Sequence, residues 1–98
     1  MIDTDGLLDG GTHTIATTYT KLDDSDQGFR VLTIRVEDNA VGNVAIGLLG
    51  KDGSKQTTVY LKTDESWTFG PNAGTIRPED IYLKGTANDV VGWIGTKV

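Results

Sequence analysis

The chain has 98 residues, no cysteine, one histidine and a formal net charge of −5 with a sequence pI near 4.6. That length supports a single domain with a modest core, and the missing cysteines exclude a disulfide framework and a thiolate metal site. The nine basic residues are scattered rather than striped, which argues against nucleic acid as a partner. No apolar run approaches the roughly 20 residues of a membrane span, and the N-terminus lacks the pattern of a signal peptide, so no membrane partner is expected.

Taken in order, Met1 to Gly11 reads as a flexible N-terminal arm (residues 1–11) ahead of the folded domain (residues 12–98). Three Asp and three Gly surround only Leu7 and Leu8, too little apolar surface for an independent element. Leu7 and Leu8 are the candidate partner-docking residues. Thr12 to Thr20 predicts a Thr-rich strand with His13, Ile15, Thr17 and Tyr19 on one side, followed by an acidic loop through Asp23, Asp24, Ser25 and Asp26. In Phe29 to Val36, Leu32, Ile34 and Val36 alternate with Thr33 and Arg35, the period-2 pattern of a strand buried on one face. Val44, Ile46 and Leu48 repeat it.

Between these two runs, Asp38, Asn39, Gly42 and Asn43 supply turn chemistry. A hairpin folded about Ala40 would set Val36 against Val44, Ile34 against Ile46 and Leu32 against Leu48. Asp52-Gly53 is a stronger turn signal, because a type I′ hairpin needs positive φ at both central residues. Pairing about it sets Ile46 against Val59 and Val44 against Leu61. Beyond a polar turn at Lys62 to Ser66, Trp67-Thr68-Phe69 restarts the alternation, and Pro78 opens another turn after Arg77. A last hairpin about Ala87 would set Leu83 against Val91 and Ile81 against Trp93. Seven to eight short strands punctuated by turns predict an all-β fold, a small antiparallel β-sandwich or jelly-roll-like barrel.

Chemistry-bearing constellations are sparse. A Ser-His-Asp triad would have to join His13 to Ser25, Ser54 or Ser66, none of which lies in a nucleophile-elbow context; His13 reads as an exposed strand residue. One His and no Cys leave no zinc site. Asp3-Thr4-Asp5-Gly6 begins like a calcium loop but lacks its later ligands, and Asp23 to Asp26 reads as solvated turn residues. Trp67 and Trp93 share parity with core positions and read as core; exposed, they or Tyr60 and Tyr82 could stack on a sugar ring. No catalytic residue, metal or cofactor is expected, and the protein reads as a non-enzyme.

Leu32-Thr33-Ile34, Gly42-Asn43-Val44-Ala45-Ile46-Gly47, Asp64-Glu65-Ser66, Asp80-Ile81-Tyr82-Leu83-Lys84-Gly85 and Asp89-Val90-Val91-Gly92-Trp93-Ile94-Gly95 together resemble the strand-and-turn pattern of small β-sandwich virion proteins of tailed bacteriophages. Those are the capsid decoration (cement) proteins and related head or tail-surface components. Where that pattern has Pro-Gly before Glu-Ser, Thr63-Asp64 stands here. The resemblance implies a virion structural protein without catalytic residues, most simply a homotrimeric decoration protein on the capsid surface whose partner is the coat-protein lattice. Its alternatives are a head-fibre or tail-surface component and, from a different class, a carbohydrate-binding sandwich module.

Overall fold

In the computed structural model, which describes residues 8–49, 55–71 and 74–98, the period-2 runs become strands with one buried face. Eight strands form: β1 (Leu8–Thr14), β2 (Thr20–Lys21), β3 (Phe29–Val36), β4 (Val44–Leu49), β5 (Lys55–Leu61), β6 (Ser66–Phe69), β7 (Ile81–Lys84) and β8 (Val90–Lys97), with a short 3-10 turn at Pro78–Asp80. They build two four-stranded antiparallel sheets, ordered β1-β8-β3-β6 and β2-β7-β4-β5. Leu32, Ile34, Val36 and Val91 of the first sheet and Val44, Ile46, Ile81 and Leu83 of the second are buried in one core, which Phe29, Leu22 and Trp93 complete. The alternation is thus spent as expected, with one apolar row per strand facing the other sheet.

The two outer hairpins differ from expectation. Val36, Ile34 and Leu32 do not pair with Val44, Ile46 and Leu48: β3 lies between β6 and β8, with Ile34 opposite Trp67 on one side and Trp93 on the other. Likewise β7 pairs with β2 and β4, so Leu83 is opposite Ile46, not Val91, and Ile81 is opposite Leu48, not Trp93. In both places the chain crosses from one sheet to the other. Alternation demands only that apolar side chains meet, and they can meet across a gap of about 10 Å as well as along a hydrogen-bonded ladder of about 4.8 Å.

The β4–β5 hairpin forms in the expected register, with Ile46 opposite Val59 and Val44 opposite Leu61. Its Asp52-Gly53 turn lies outside the described residues. Past Ile46 the register shifts by one, so that Gly47 faces Thr57 and Leu49 faces Lys55. Thr58 is the extra residue of a bulge, a device that strengthens twist at a sheet edge.

The first strand also begins earlier than expected. Leu8 to Gly11, assigned to the arm, pair with Thr96 to Trp93 as the opening half of β1, and the strand ends at Thr14 rather than Thr20. Glycine content disfavours an isolated strand, but here it permits close approach: a Cβ on Gly10 would stand 2.4 Å from the Trp93 carbonyl oxygen. The partner strand overrides local propensity. Met1 to Leu7 lie outside the described residues.

A buried carboxylate ties the crossings together. Asp89, only 6% exposed, accepts hydrogen bonds from the backbone N–H of Val41 at 3.0 Å and of Gly42 at 3.1 Å. This joins the β7–β8 loop to the β3–β4 loop. The β1–β2 segment enters the same cluster, since Ile15 N–H donates to the Asp89 carbonyl and Asn88 N–H to the Ile15 carbonyl. Thr63, between β5 and β6, donates its hydroxyl to the Ala40 carbonyl.

Two outcomes are expected from this arrangement. Asp89→Ala removes charge-assisted bonds and leaves two part-buried amides without their acceptor, and should lower unfolding free energy by about 2 kcal/mol in urea titrations, with Asp89→Asn losing less. The strand order is tested by cross-linking: the double variant Thr33→Cys, Thr68→Cys should form a disulfide on mild oxidation, since the two hydroxyls are 2.9 Å apart. Thr33→Cys combined with Gly47→Cys, neighbours only in the hairpin alternative, should stay reduced.

Candidate functional site on the two outer faces

The residues singled out in the sequence are dispersed rather than gathered into one centre. His13 projects from β1 towards β2, its Nε2 2.9 Å from Thr20 Oγ1. It is half-buried, and desolvation lowers its pKa below the usual 6.5 despite a hydrogen bond to the Leu22 backbone and the nearby charge of Asp23, which both act to raise it. The expected exposed ring is therefore a link between the edges of the two sheets. Its partner is a threonine, and among the described residues no serine is joined to it.

Asp23 accepts from Ser25 N–H at 3.0 Å and Ser25 Oγ accepts from Gln27 N–H at 3.1 Å, the self-closing bonds of an acidic turn. No group of three or more potential metal ligands occurs among the described residues, and the Asp3 to Gly6 segment lies outside them. No helix among the described residues is long and apolar enough to cross a membrane.

The aromatic residues divide by exposure. Trp93 is buried, edge-on to Phe29 with ring centroids 5.7 Å apart, and its indole N–H has no acceptor among the described residues. Tyr82 is buried as well. Trp67, expected in the core, is 41% exposed. It shares the inward parity of Ile34, its β3 neighbour, but β6 is the sheet's edge strand and the opposite sheet does not cover the indole fully. It packs edge-on against Phe69 instead.

Of the two docking candidates, Leu7 lies outside the described residues and Leu8 is 46% exposed on β1, the edge strand beside β8. Register places Leu8 opposite Thr96, and Gly10 opposite Ile94. Leu8 and Ile94 are thus diagonal neighbours on the outer face, and Val31, opposite Thr96 from the other side, adjoins them. Ile94 is 55% exposed. Its outward position was available from sequence, since it has the parity opposite to Val91 and Trp93. Around this aliphatic patch the outward side chains are small, Gly10, Thr12, Gly92, Thr33 and Thr68, and the charges sit at the far end, where Arg35 pairs with Asp64 and the Glu37 carboxylate reaches Gly92.

The outer face of the second sheet has another character. Lys21, Tyr82, Lys84, Ala45, Gly47 and Tyr60 share it by register. Lys84 Nζ sits 4.8 Å from the centre of the Tyr19 ring, a cation–π contact. Between β4, β5 and the end of β7, Thr17, Asn43, Ala45, Tyr60, Lys84 and Gly85 line an open concavity of about 280 Å³. Gly85 is required there, because a Cβ would meet the Asn43 carbonyl oxygen at 2.7 Å.

The chain matches no family model, and no curated protein matches it. Among solved structures it is similar to a chain from Bacillus endospore appendages, described as a family of disulfide-linked pili, with 21% identity, a TM-score of 0.52 and coverage of 91% of this chain and 84% of that chain. It is also similar to the SPBc2 prophage-derived protein YomS, with 18% identity, a TM-score of 0.51 and coverage of 93% and 94%. At these identities the likeness establishes a shared all-β sandwich fold.

Because folding lowers the pKa of His13, the unfolded chain binds its proton first as pH falls. Stability is therefore complete above about pH 6.5 and declines as pH drops from that value towards the lower folded pKa. Urea titrations from pH 7.5 down to 5 should show this decline, and His13→Gln should flatten the part due to the imidazole.

Proposed function

We propose that the protein is a non-enzymatic structural component of a bacteriophage virion, a capsid decoration protein that docks on the coat-protein lattice as a homotrimer. We read the strand order, β1-β8-β3-β6 over β2-β7-β4-β5, as that of a jelly roll. The observation that carries the reading is the outer face of the first sheet, where exposed Leu8 on the edge strand β1 and Ile94 on β8 stand among small Gly and Thr residues. Such a surface can meet another protein closely, and an edge strand beside it offers unpaired backbone groups. Repetition on a symmetric shell turns a modest contact into firm attachment. A prophage protein and a spore-surface pilus chain of the same fold support a structural role outside the cell. His13, the sole histidine, is engaged between sheets, which supports the non-enzymatic reading.

The pilus likeness also favours a second reading, a fibre subunit of a head or tail surface. The disulfide linkage named for that pilus has no counterpart here, since this chain has no cysteine, so subunits would hold together by contact alone.

Sedimentation separates these readings. The decoration role predicts a discrete trimer that co-sediments with capsids of the parent phage, whereas the fibre role predicts concentration-dependent polymers. In either case Leu8→Asp with Ile94→Asp should abolish association while shifting monomer stability by less than about 1 kcal/mol, since both side chains are exposed. Undiminished capsid binding by that variant would refute the assigned face.

A further inference from the structure

The concavity on the opposite face is built unlike its surroundings. In a chain of net charge −5, the described outward positions of the second sheet hold two lysines, Lys21 and Lys84, and no carboxylate. Lys84 has no acidic partner among the described residues, and its ammonium is held against the Tyr19 ring rather than left to wander in solvent. Tyr60 stands at the rim with 67% of its surface exposed, and its hydroxyl has no hydrogen-bond partner among the described residues. The side chains of Thr17 and Asn43 are likewise without such a partner there. The floor is Ala45 and Gly85, small enough for a ligand to approach the backbone.

We propose that this concavity binds an acidic sugar, a pyranose ring bearing a carboxylate. An exposed phenol ring at the rim of a shallow depression presents a π-face to the C–H groups of a sugar ring, and aromatic side chains with a polar end suit a ligand that is half apolar and half wet. Lys84 supplies the charge that selects a carboxylate, while Thr17 and Asn43 offer donors and acceptors to ring hydroxyls. The volume of about 280 Å³ falls at the lower limit of ligand sites, about 300 Å³, and suits one ring rather than a larger molecule. The Tyr19 contact orients Lys84 before binding, which reduces the side-chain entropy lost on complex formation. The site faces away from Leu8 and Ile94, so it does not depend on what those residues contact.

The test is a titration of the ¹⁵N-labelled protein, followed by NMR, with methyl β-D-glucuronide, methyl β-D-glucoside and inorganic phosphate as separate probes. The glucuronide should shift the amides of Ala45, Lys84 and Gly85 saturably, with a dissociation constant on the order of 1 mM, and should bind about tenfold more tightly than the uncharged glucoside. Tyr60→Ala and Lys84→Gln should each weaken glucuronide binding about tenfold while leaving thermal unfolding and the remaining amide shifts unchanged. The proposal is overturned by an absence of saturable shifts with the glucuronide, by equal affinity for the glucoside, or by phosphate producing the same shifts as strongly. It is also overturned if both variants retain full binding.

Discussion

The fold depends on one carboxylate accepting two backbone amides. Six of the seven connections cross between sheets, only β4 to β5 remaining within one. A sandwich of crossing connections has no tight hairpins to set its register at the crossing end, and its loops must satisfy their backbone groups in some other way. Asp89 does this for Val41 and Gly42 from a loop about fifty residues further along the chain. A carboxylate is suited to the task because its two oxygens offer several lone pairs to converging N–H donors. Burial then strengthens those bonds and makes leaving them unmade costly.

This explains which parts of the fold were legible in the sequence. The core was legible almost residue by residue, because parity assigns Leu32, Ile34, Val36, Val44, Ile46, Leu61, Ile81, Leu83, Val91 and Trp93 to one side regardless of topology, and all are buried. Adjacency was legible only where turn chemistry was decisive. Asp52-Gly53 gave Ile46 opposite Val59, although nothing in the sequence marked Thr58 as a bulge. Across residues 37–43 and 85–89 the same alternation fits a hairpin or a crossing equally well. The deciding contact, Asp89 to Val41, joins residues far apart in the chain and leaves no local trace. The turn at Thr63-Asp64 shows a related compromise. Asp64 adopts φ 68 where the resembling virion proteins carry Gly. Asp tolerates this conformation better than most residues, and its side chain pairs with Arg35.

The candidate sites were legible in proportion to how far exposure follows parity. Leu8 was identified because it lay among glycines and acids, and Ile94 could have been identified from its outward register. Parity places Trp67 with the core, yet it is partly exposed, because parity gives the direction of a side chain but not whether the facing sheet reaches that far. The Lys84 site was out of reach for a different reason. Tyr19 comes from the segment that crosses between β1 and β2, Tyr60 from β5 and Lys84 from β7, three places brought together only by the order of the second sheet.

The two outer faces also differ in a way that bears on any role at a surface. One is aliphatic around Leu8, Val31 and Ile94, with its charges, Arg35 and Glu37, gathered at the far end. The other is concave, aromatic and positively charged around Tyr60 and Lys84. In a two-layer sandwich these surfaces point in opposite directions, so a molecule seated by its first sheet necessarily presents its second sheet outward. Exposed apolar surface gains most when water is excluded over its whole extent, which favours contact with an extended surface. A small charged depression gains from a few directed contacts, which suits a small polar ligand arriving from solvent. The crossing connections hold the sheets as one body, so a contact made by one outer face would fix the orientation of the other.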